Sequence, residues 1–210
     1  MYSVKEMFYT LQGEGAQSGR PAVFCRFAGC NLWSGREQDR SGAICDFCDT
    51  DFVGTDGQNG GKFATPQELA TAARSFWPAH GGGKPYLVCT GGEPALQLDA
   101  ALIEAFHAAG FEIAVETNGT RPLPDGIDWI CVSPKAGTEL VVTRGQELKL
   151  VYPQLLAPPE RFDRLEFEHF YLQALDGPDA PRHQRQCIEY CLAHPQWKLS
   201  LQSHKILGID

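Results

Sequence analysis

Seven short runs rich in β-branched and aromatic residues punctuate this chain, and helical patterns lie between several of them. The runs are AVFCRF (22–27), YLVCT (86–90), FEIAVE (111–116), DWICVS (128–133), LKLVY (148–152), FEHFYLQ (167–173) and KLSLQ (198–202). Strand–helix–strand order of this kind builds a parallel sheet with helices packed on it. A first helix is predicted to open at Thr65-Pro66-Gln67-Glu68. Thr serves as its N-cap, Pro takes the first helical position and Glu completes a capping box. Leu69, Ala72, Ala73 and Phe76 follow at helical spacing. A second helix is predicted over 98–109, ending at Gly110, and a third over 181–193. Segments 121–127, 136–147 and 153–166 read as short connections rich in Pro or Gly. Seven strands are too few to close an eight-stranded barrel. The expected architecture is α/β, a partial (β/α) barrel with a mostly parallel sheet, and a flat doubly wound sheet is the alternative. No repeat or low-complexity linker divides the chain, so one domain is expected over 1–210.

Chemically informative residues follow the strands rather than precede them. Thr90-Gly91-Gly92-Glu93-Pro94 comes after the second run, Glu116-Thr117-Asn118-Gly119 closes the third and Ser133-Pro134-Lys135 the fourth. Gln173-Ala174-Leu175-Asp176 closes the sixth, and Gln202-Ser203-His204-Lys205 the seventh. In parallel α/β folds the carboxyl ends of the strands form one rim, where ligands bind. No apolar run approaches the length of a membrane span, and the opening MYSVKEMFYTLQGEG lacks a basic segment followed by an apolar stretch. Neither a secretory nor a membrane reading is supported, and a cytoplasmic location is expected. The formal net charge is −8 with no basic stripe, which argues against nucleic acid as a partner.

Eight cysteines are many for this length, and in an intracellular chain they point to metal or redox chemistry rather than disulfides. Cys25, Cys89 and Cys131 lie inside apolar runs and read as core residues. Cys187 and Cys191 stand four apart on the third helix, where core packing is the simpler reading beside a second metal site. The remaining three, Cys30, Cys45 and Cys48, sit in an irregular Gly-rich stretch at C-x14-C-x2-C spacing. Thiolates ligate zinc and iron–sulfur clusters. A structural zinc site needs a fourth ligand, and 31–59 offers no other His or Cys. A cluster on three thiolates instead leaves one iron open to an exogenous ligand.

These residues resemble the radical S-adenosylmethionine (SAM) superfamily, whose [4Fe–4S] cluster rests on three cysteines, usually C-x3-C-x2-C. Here the first gap is expanded, while the x2 pair and GGEP (91–94) are retained. Over its whole length the chain resembles the 7-carboxy-7-deazaguanine synthase (QueE) family. The likeness lies in LQGEG (11–15), FCRFAGCNL (24–32), Cys48-Asp49-Thr50, ETNG (116–119), VSPK (132–135) and QSHKILGI (202–209). Some members share the expanded gap, so residues 30–61 read as the cluster-binding loop.

The resemblance implies a radical ring contraction. It takes 6-carboxy-5,6,7,8-tetrahydropterin to 7-carboxy-7-deazaguanine and ammonia, in queuosine and 7-deazapurine biosynthesis. A reduced cluster on Cys30, Cys45 and Cys48 cleaves SAM, and the 5′-deoxyadenosyl radical takes the hydrogen at substrate C6. Phe47, Cys48, Asp49, Gly91, Gly92, Glu93, Ser133, Pro134, Lys135, Gln173 and Asp176 match the family's SAM site. Glu116 and Asn118 match it too, with capping of a strand end as the alternative. Thr50 matches a Mg²⁺ ligand, or else caps local backbone. Gln12, Gly13, Glu14, Arg26, Thr90, His204 and the terminal Asp210 match the substrate site. Gln12–Gly15 could be only a turn, though the family likeness favours the substrate role, and Arg26 could serve a structural pair with Asp or Glu rather than the substrate carboxylate. His80, His107, His169, His183 and His194 gain no role. An electron donor such as flavodoxin or ferredoxin is implied, and a homodimer is expected. Two other readings stay open: a radical SAM activase of a partner protein, and a zinc-stabilised binding module.

Overall fold

The computed structural model describes residues 1–80 and 82–209. Two strands near the start set one edge of its sheet. β1 (Tyr2–Leu11) runs antiparallel to both β2 (Pro21–Phe27) and β3 (Gly61–Phe63). From β2 onward every pairing is parallel, through β4 (Tyr86–Gly91), β5 (Glu112–Thr117), β6 (Trp129–Val132), β7 (Arg144–Tyr152), β8 (Glu166–Ala174) and β9 (Trp197–Ser200). The order is β3-β1-β2-β4-β5-β6-β7-β8-β9, with β3 and β9 as unpaired edges among the described residues. The open, mostly parallel α/β sheet is the expected architecture. All seven anticipated strands form, and β1 and β3 are additions. β1 escapes an apolar-run search because Lys5 and Glu6 interrupt it. Both charges are matched inside the fold: Lys5 Nζ lies 2.9 Å from Asp51 and 2.8 Å from Asp56, and Glu6 pairs with Arg26.

The capping box forms at the start of α1 (Pro66–Phe76): the Glu68 N–H donates to Thr65 Oγ1 at 3.2 Å, and the Glu68 carboxylate accepts from the Thr65 N–H at 3.4 Å. α2 (Ala100–Ala108) starts two residues later than expected, because Asp99 caps it by accepting from the Leu102 N–H at 2.9 Å. Gly110 ends it at φ +89°, a conformation suited to glycine. α3 (Ala180–Ala193) lies close to its expected bounds, and a short α4 (Ser203–Leu207) follows β9. α1 and α2 pack over β1, β2 and β5, and α3 packs over β7, β8 and β9. Leu69, Ala73, Leu102 and Phe106 join Leu87 and Ile113 in one apolar cluster. Cys25 and Cys89 belong to that cluster, while Cys187 belongs to a second one beneath α3 with Cys191 at its margin. Cys25, Cys89 and Cys187 are core positions, whereas Cys131, expected in the core, is buried at the cleft face, and burial raises the thiol pKa of all four.

The other face of the sheet carries polar residues in one transverse row. The pairing register sets Glu6 beside Arg26, Arg26 beside Thr90, Glu116 beside Cys131 and Cys131 beside Glu147. Cys89 is paired with Val115, so the same register continues from Thr90 to Glu116. Neighbours in register project to the same face. From Glu6 to Cys131 the row looks onto a cleft of about 460 Å³, walled by the long loop between β2 and β3 and by α4.

Candidate active site

The loop between β2 and β3 brings Cys30, Cys45 and Cys48 to one wall of the cleft with all three thiols free. Its expanded gap folds into a 3₁₀ turn over Glu37–Gly42. From that turn Arg40 lies over the Trp33 ring at 4.2 Å and donates to the carbonyl oxygens of Asp46 (2.7 Å) and Cys48 (3.1 Å). Trp33 meets Phe52 edge-on at 5.6 Å. The inserted residues therefore brace the Cys45–Cys48 turn. A hydrogen bond between the two thiols brings Cys48 down to about 6 and holds Cys45 up. Lys135 is lowered by burial, against the opposing pull of Cys45 and Cys48. Phe47, Asp49 and Thr50 continue the same wall. Among the described residues no three His, Cys, Asp or Glu side chains converge on a single-ion site. Thiolates that each bind a different iron of one cluster have no need to converge.

At the end of β4 the glycines are required by close packing. Gly91 has φ +144°, and a Cβ there would strike the Phe27 backbone. A Cβ on Gly92 would strike the Gly29 carbonyl and Cys30. The next residue has a different task. Glu93 is 0% exposed, and its carboxylate accepts from Thr117 Oγ1 (2.7 Å), the Ala95 N–H (2.9 Å) and the Asn118 N–H (2.8 Å). Burial raises its pKa against those three donors. Asn118 Nδ2 in turn donates to Asn31 Oδ1 at 3.0 Å, which ties the end of β5 to the residue after Cys30. Glu93 and Pro134 are thus not among the cleft-lining residues, whereas Gly91, Gly92, Asn118, Ser133 and Lys135 are.

The floor is an ion-paired network. Lys149 of β7, 5% exposed, places Nζ 2.5 Å from Glu14 Oε2 and 3.4 Å from Glu116 Oε1. Glu14 Oε1 also accepts from Gln173 Nε2 and Gln202 Nε2, each at 3.1 Å. Glu116 accepts from Gln12 Nε2 (3.1 Å) and Thr90 Oγ1 (3.3 Å). Burial opposes ionisation of Glu14, but Lys149 and the Gln202 hydrogen bond hold its pKa below the usual range. Burial likewise opposes a charged Lys149, and the carboxylates of Glu116, Glu14 and Glu147 hold its pKa well above the usual value. The glycines of the Gln12–Gly15 turn follow from this packing. Gly13 abuts the His204 ring, and Gly15, at φ +65°, abuts the Glu147 carboxylate, so a Cβ at either position would collide.

At the mouth, Arg26 Nε donates to Glu6 Oε1 at 2.7 Å. Lys205 of α4 bridges Asp49 (2.8 Å) and Asp176 (2.5 Å). Gln12, Gly13, Glu14, Arg26, Thr90, Glu116, Gln173, Asp176 and His204 all line the cleft, and Asp210 lies outside the described residues. Gln202 and Lys205 belong to the rim segment already read after the seventh run, Glu6 was passed over, and so were two further functional candidates, Glu147 and Lys149. Their signal lies in β7, where Glu147 and Lys149 alternate with Leu148 and Leu150 on a central parallel strand. Such strands are normally covered on both faces, so charges there mark a lined interior.

The model of the Radical SAM superfamily matches residues 41–150, just over half the chain, beginning within the expanded gap. Two proteins named 7-carboxy-7-deazaguanine synthase, from Bordetella pertussis and Burkholderia multivorans, are 65% and 60% identical over 208 residues, covering 99% of this chain and 99% of each relative. Among solved structures, that of QueE from Escherichia coli aligns with a TM-score of 0.69 at 28% identity, covering 95% of this chain and 93% of that one. With kinship running from end to end in sequence and in fold, this chain belongs to the 7-carboxy-7-deazaguanine synthase family, radical SAM enzymes of 7-deazapurine biosynthesis that work with a [4Fe–4S] cluster and SAM.

Proposed function

We propose that the chain converts 6-carboxy-5,6,7,8-tetrahydropterin to 7-carboxy-7-deazaguanine and ammonia in this cleft. One observation carries the reading: three thiols on one wall and an ion-paired carboxylate floor share a single space of about 460 Å³. The donor set fits a cluster, because the thiols are free and face the cleft beside backbone that only glycine allows so near. Cys30, Cys45 and Cys48 would hold it, within a loop taken as 30–61. When bound, it supplies the electron that splits SAM into methionine and a 5′-deoxyadenosyl radical.

The protein's own work is to position and to exclude water. Gly91, Gly92, Glu116, Asn118, Ser133 and Lys135 offer SAM a polar rim, flanked by Phe47, Asp49, Gln173 and Asp176. Glu93 and Pro134 serve that rim from behind it. On the substrate side Arg26 keeps its terminal guanidinium nitrogens unpaired among the described residues, a planar pair of donors for the substrate carboxylate. Glu14 is an acceptor for the amino-pyrimidinone edge. Lys149, Gln173 and Gln202 already use three of its roughly four lone-pair sites, so two new bonds require one amide to turn away. Gln12, Gly13, Thr90 and His204 complete the pocket. Thr50 presents a hydroxyl with no partner among the described residues, a suitable ligand for Mg²⁺. We further propose a flavodoxin or ferredoxin as reductant, a homodimer and a cytoplasmic location.

The test is anaerobic turnover with the carboxytetrahydropterin, SAM and a reductant, followed by mass detection. The deazapurine and 5′-deoxyadenosine are expected. SAM cleavage with the pterin left intact would refute the substrate assignment.

A further inference from the structure

Lys149 is a buried ammonium that the chemistry above leaves without a part. It sits between two carboxylates, 2.5 Å from Glu14 and 3.4 Å from Glu116, with its side chain only 6% exposed. The charged and titratable groups around it come from every adjoining element. Glu14 belongs to the turn after β1, Glu116 to β5, Cys131 to β6 and Glu147 to its own strand, while His204 of α4 acts on Glu14 and Lys135, after β6, is a second cation facing Lys149. Glu147 accepts from the Ala16 N–H at 3.0 Å, and burial raises its pKa.

Two carboxylates brought together out of water do not both ionise unless a cation lies between them. Without Lys149 one of the pair takes a proton, and an acceptor becomes a donor. The amino-pyrimidinone edge of a pterin presents N–H groups, so a donor there meets a donor. We propose that Lys149 is a positioning residue of the reaction, lying between Glu14 and Glu116 so that the Glu14 carboxylate stays an acceptor for the N–H edge of the substrate. This rests on the reading that Glu14 receives the substrate.

The test compares wild-type holoenzyme with Lys149→Met and Lys149→Arg. Substrate affinity is measured across pH, and the carbonyl stretch of protonated carboxyl groups is followed by difference infrared spectroscopy. In Lys149→Met the affinity near neutral pH is expected to fall by about tenfold or more, one pKa unit or more of lost ionisation. It should recover as the pH rises, with a protonated-carboxyl band that the wild type lacks. Lys149→Arg should restore most of the affinity and remove the band. Wild-type affinity with a flat pH profile in Lys149→Met would overturn the proposal, as would an equal loss at every pH with no new band. If Lys149→Met fails to fold, Lys149→Met/Glu14→Gln, which removes both halves of the pair, takes its place. It should bind no more weakly than Glu14→Gln alone, and weaker binding than Glu14→Gln would overturn the proposal. Wild-type affinity in Glu14→Gln would instead sink the substrate site, and the infrared band would still decide the role of Lys149.

Discussion

Thr50 illustrates how one side chain separates two readings. Its hydroxyl caps no backbone group among the described residues, and its neighbours Asp49 and Asp51 are engaged by Lys205 and Lys5. An oxygen left over at the cleft wall suits a hard cation. Thr50→Ala is therefore expected to lower turnover and flatten its Mg²⁺ response, with cluster absorbance unchanged. Thr50→Ser should be milder because it keeps the hydroxyl. An equal Mg²⁺ response in wild type and Thr50→Ala would return the residue to a purely local role. At this scale the residue types of LQGEG, GGEP and the cysteines were legible in the sequence, because each motif packs unusual residues into a few positions. What each residue does was less legible. Glu93 reads as a rim carboxylate, yet its three donors bury it behind the wall, and Lys149 reads as an ordinary strand lysine. Both roles depend on partners distant in the chain, which no local pattern encodes.

The elements divide in the same way. α1 was legible because its capping box is local, and the parallel strands because burial on both faces leaves continuous apolar runs. β1 was hidden by charges whose partners lie on other segments, β3 by its three-residue length, and α4 by its brevity. The turn over Glu37–Gly42 was beyond reach for another reason. It is held by Arg40 reaching forward to two carbonyl groups and stacking on Trp33, contacts that spacing does not announce. Its expected contribution is to cluster retention. Arg40→Ala should lose iron faster than wild type when challenged with a chelator, at nearly unchanged thermal midpoint. Arg40→Lys should fall between them, because an ammonium lacks the planar fork. Equal rates of iron loss in all three would show that the insert is a passive spacer.

For the molecule as a whole, Lys205 joins two distant parts of the cleft mouth, the cluster loop at Asp49 and the end of β8 at Asp176. All three side chains are substantially exposed, so each pair contributes only about 0–1 kcal/mol to stability. Their effect should lie in closure. Lys205→Ala is expected to leave the melting temperature nearly unchanged while raising the yield of 5′-deoxyadenosine per deazapurine, since substrate is held less firmly. An unchanged ratio would mean that the bridge has no part in catalysis. The mostly parallel α/β sheet was legible from strand order, which left a partial barrel with a flat doubly wound sheet as the alternative. That the barrel is closed on its open side by the cluster loop and α4 was not, because those contacts span most of the sequence. Gly13 accepts hydrogen bonds from both the backbone and the side chain of Ser203, 190 positions away, and Gln202 reaches Glu14 across 188. During synthesis on a ribosome the three cysteines leave the exit tunnel long before Gln202, Ser203 and His204 are made. The thiol wall is thus open to a cluster while the opposite wall is still missing, and the later-made Gln202 and Ser203 cover a cavity whose metal centre can already be in place.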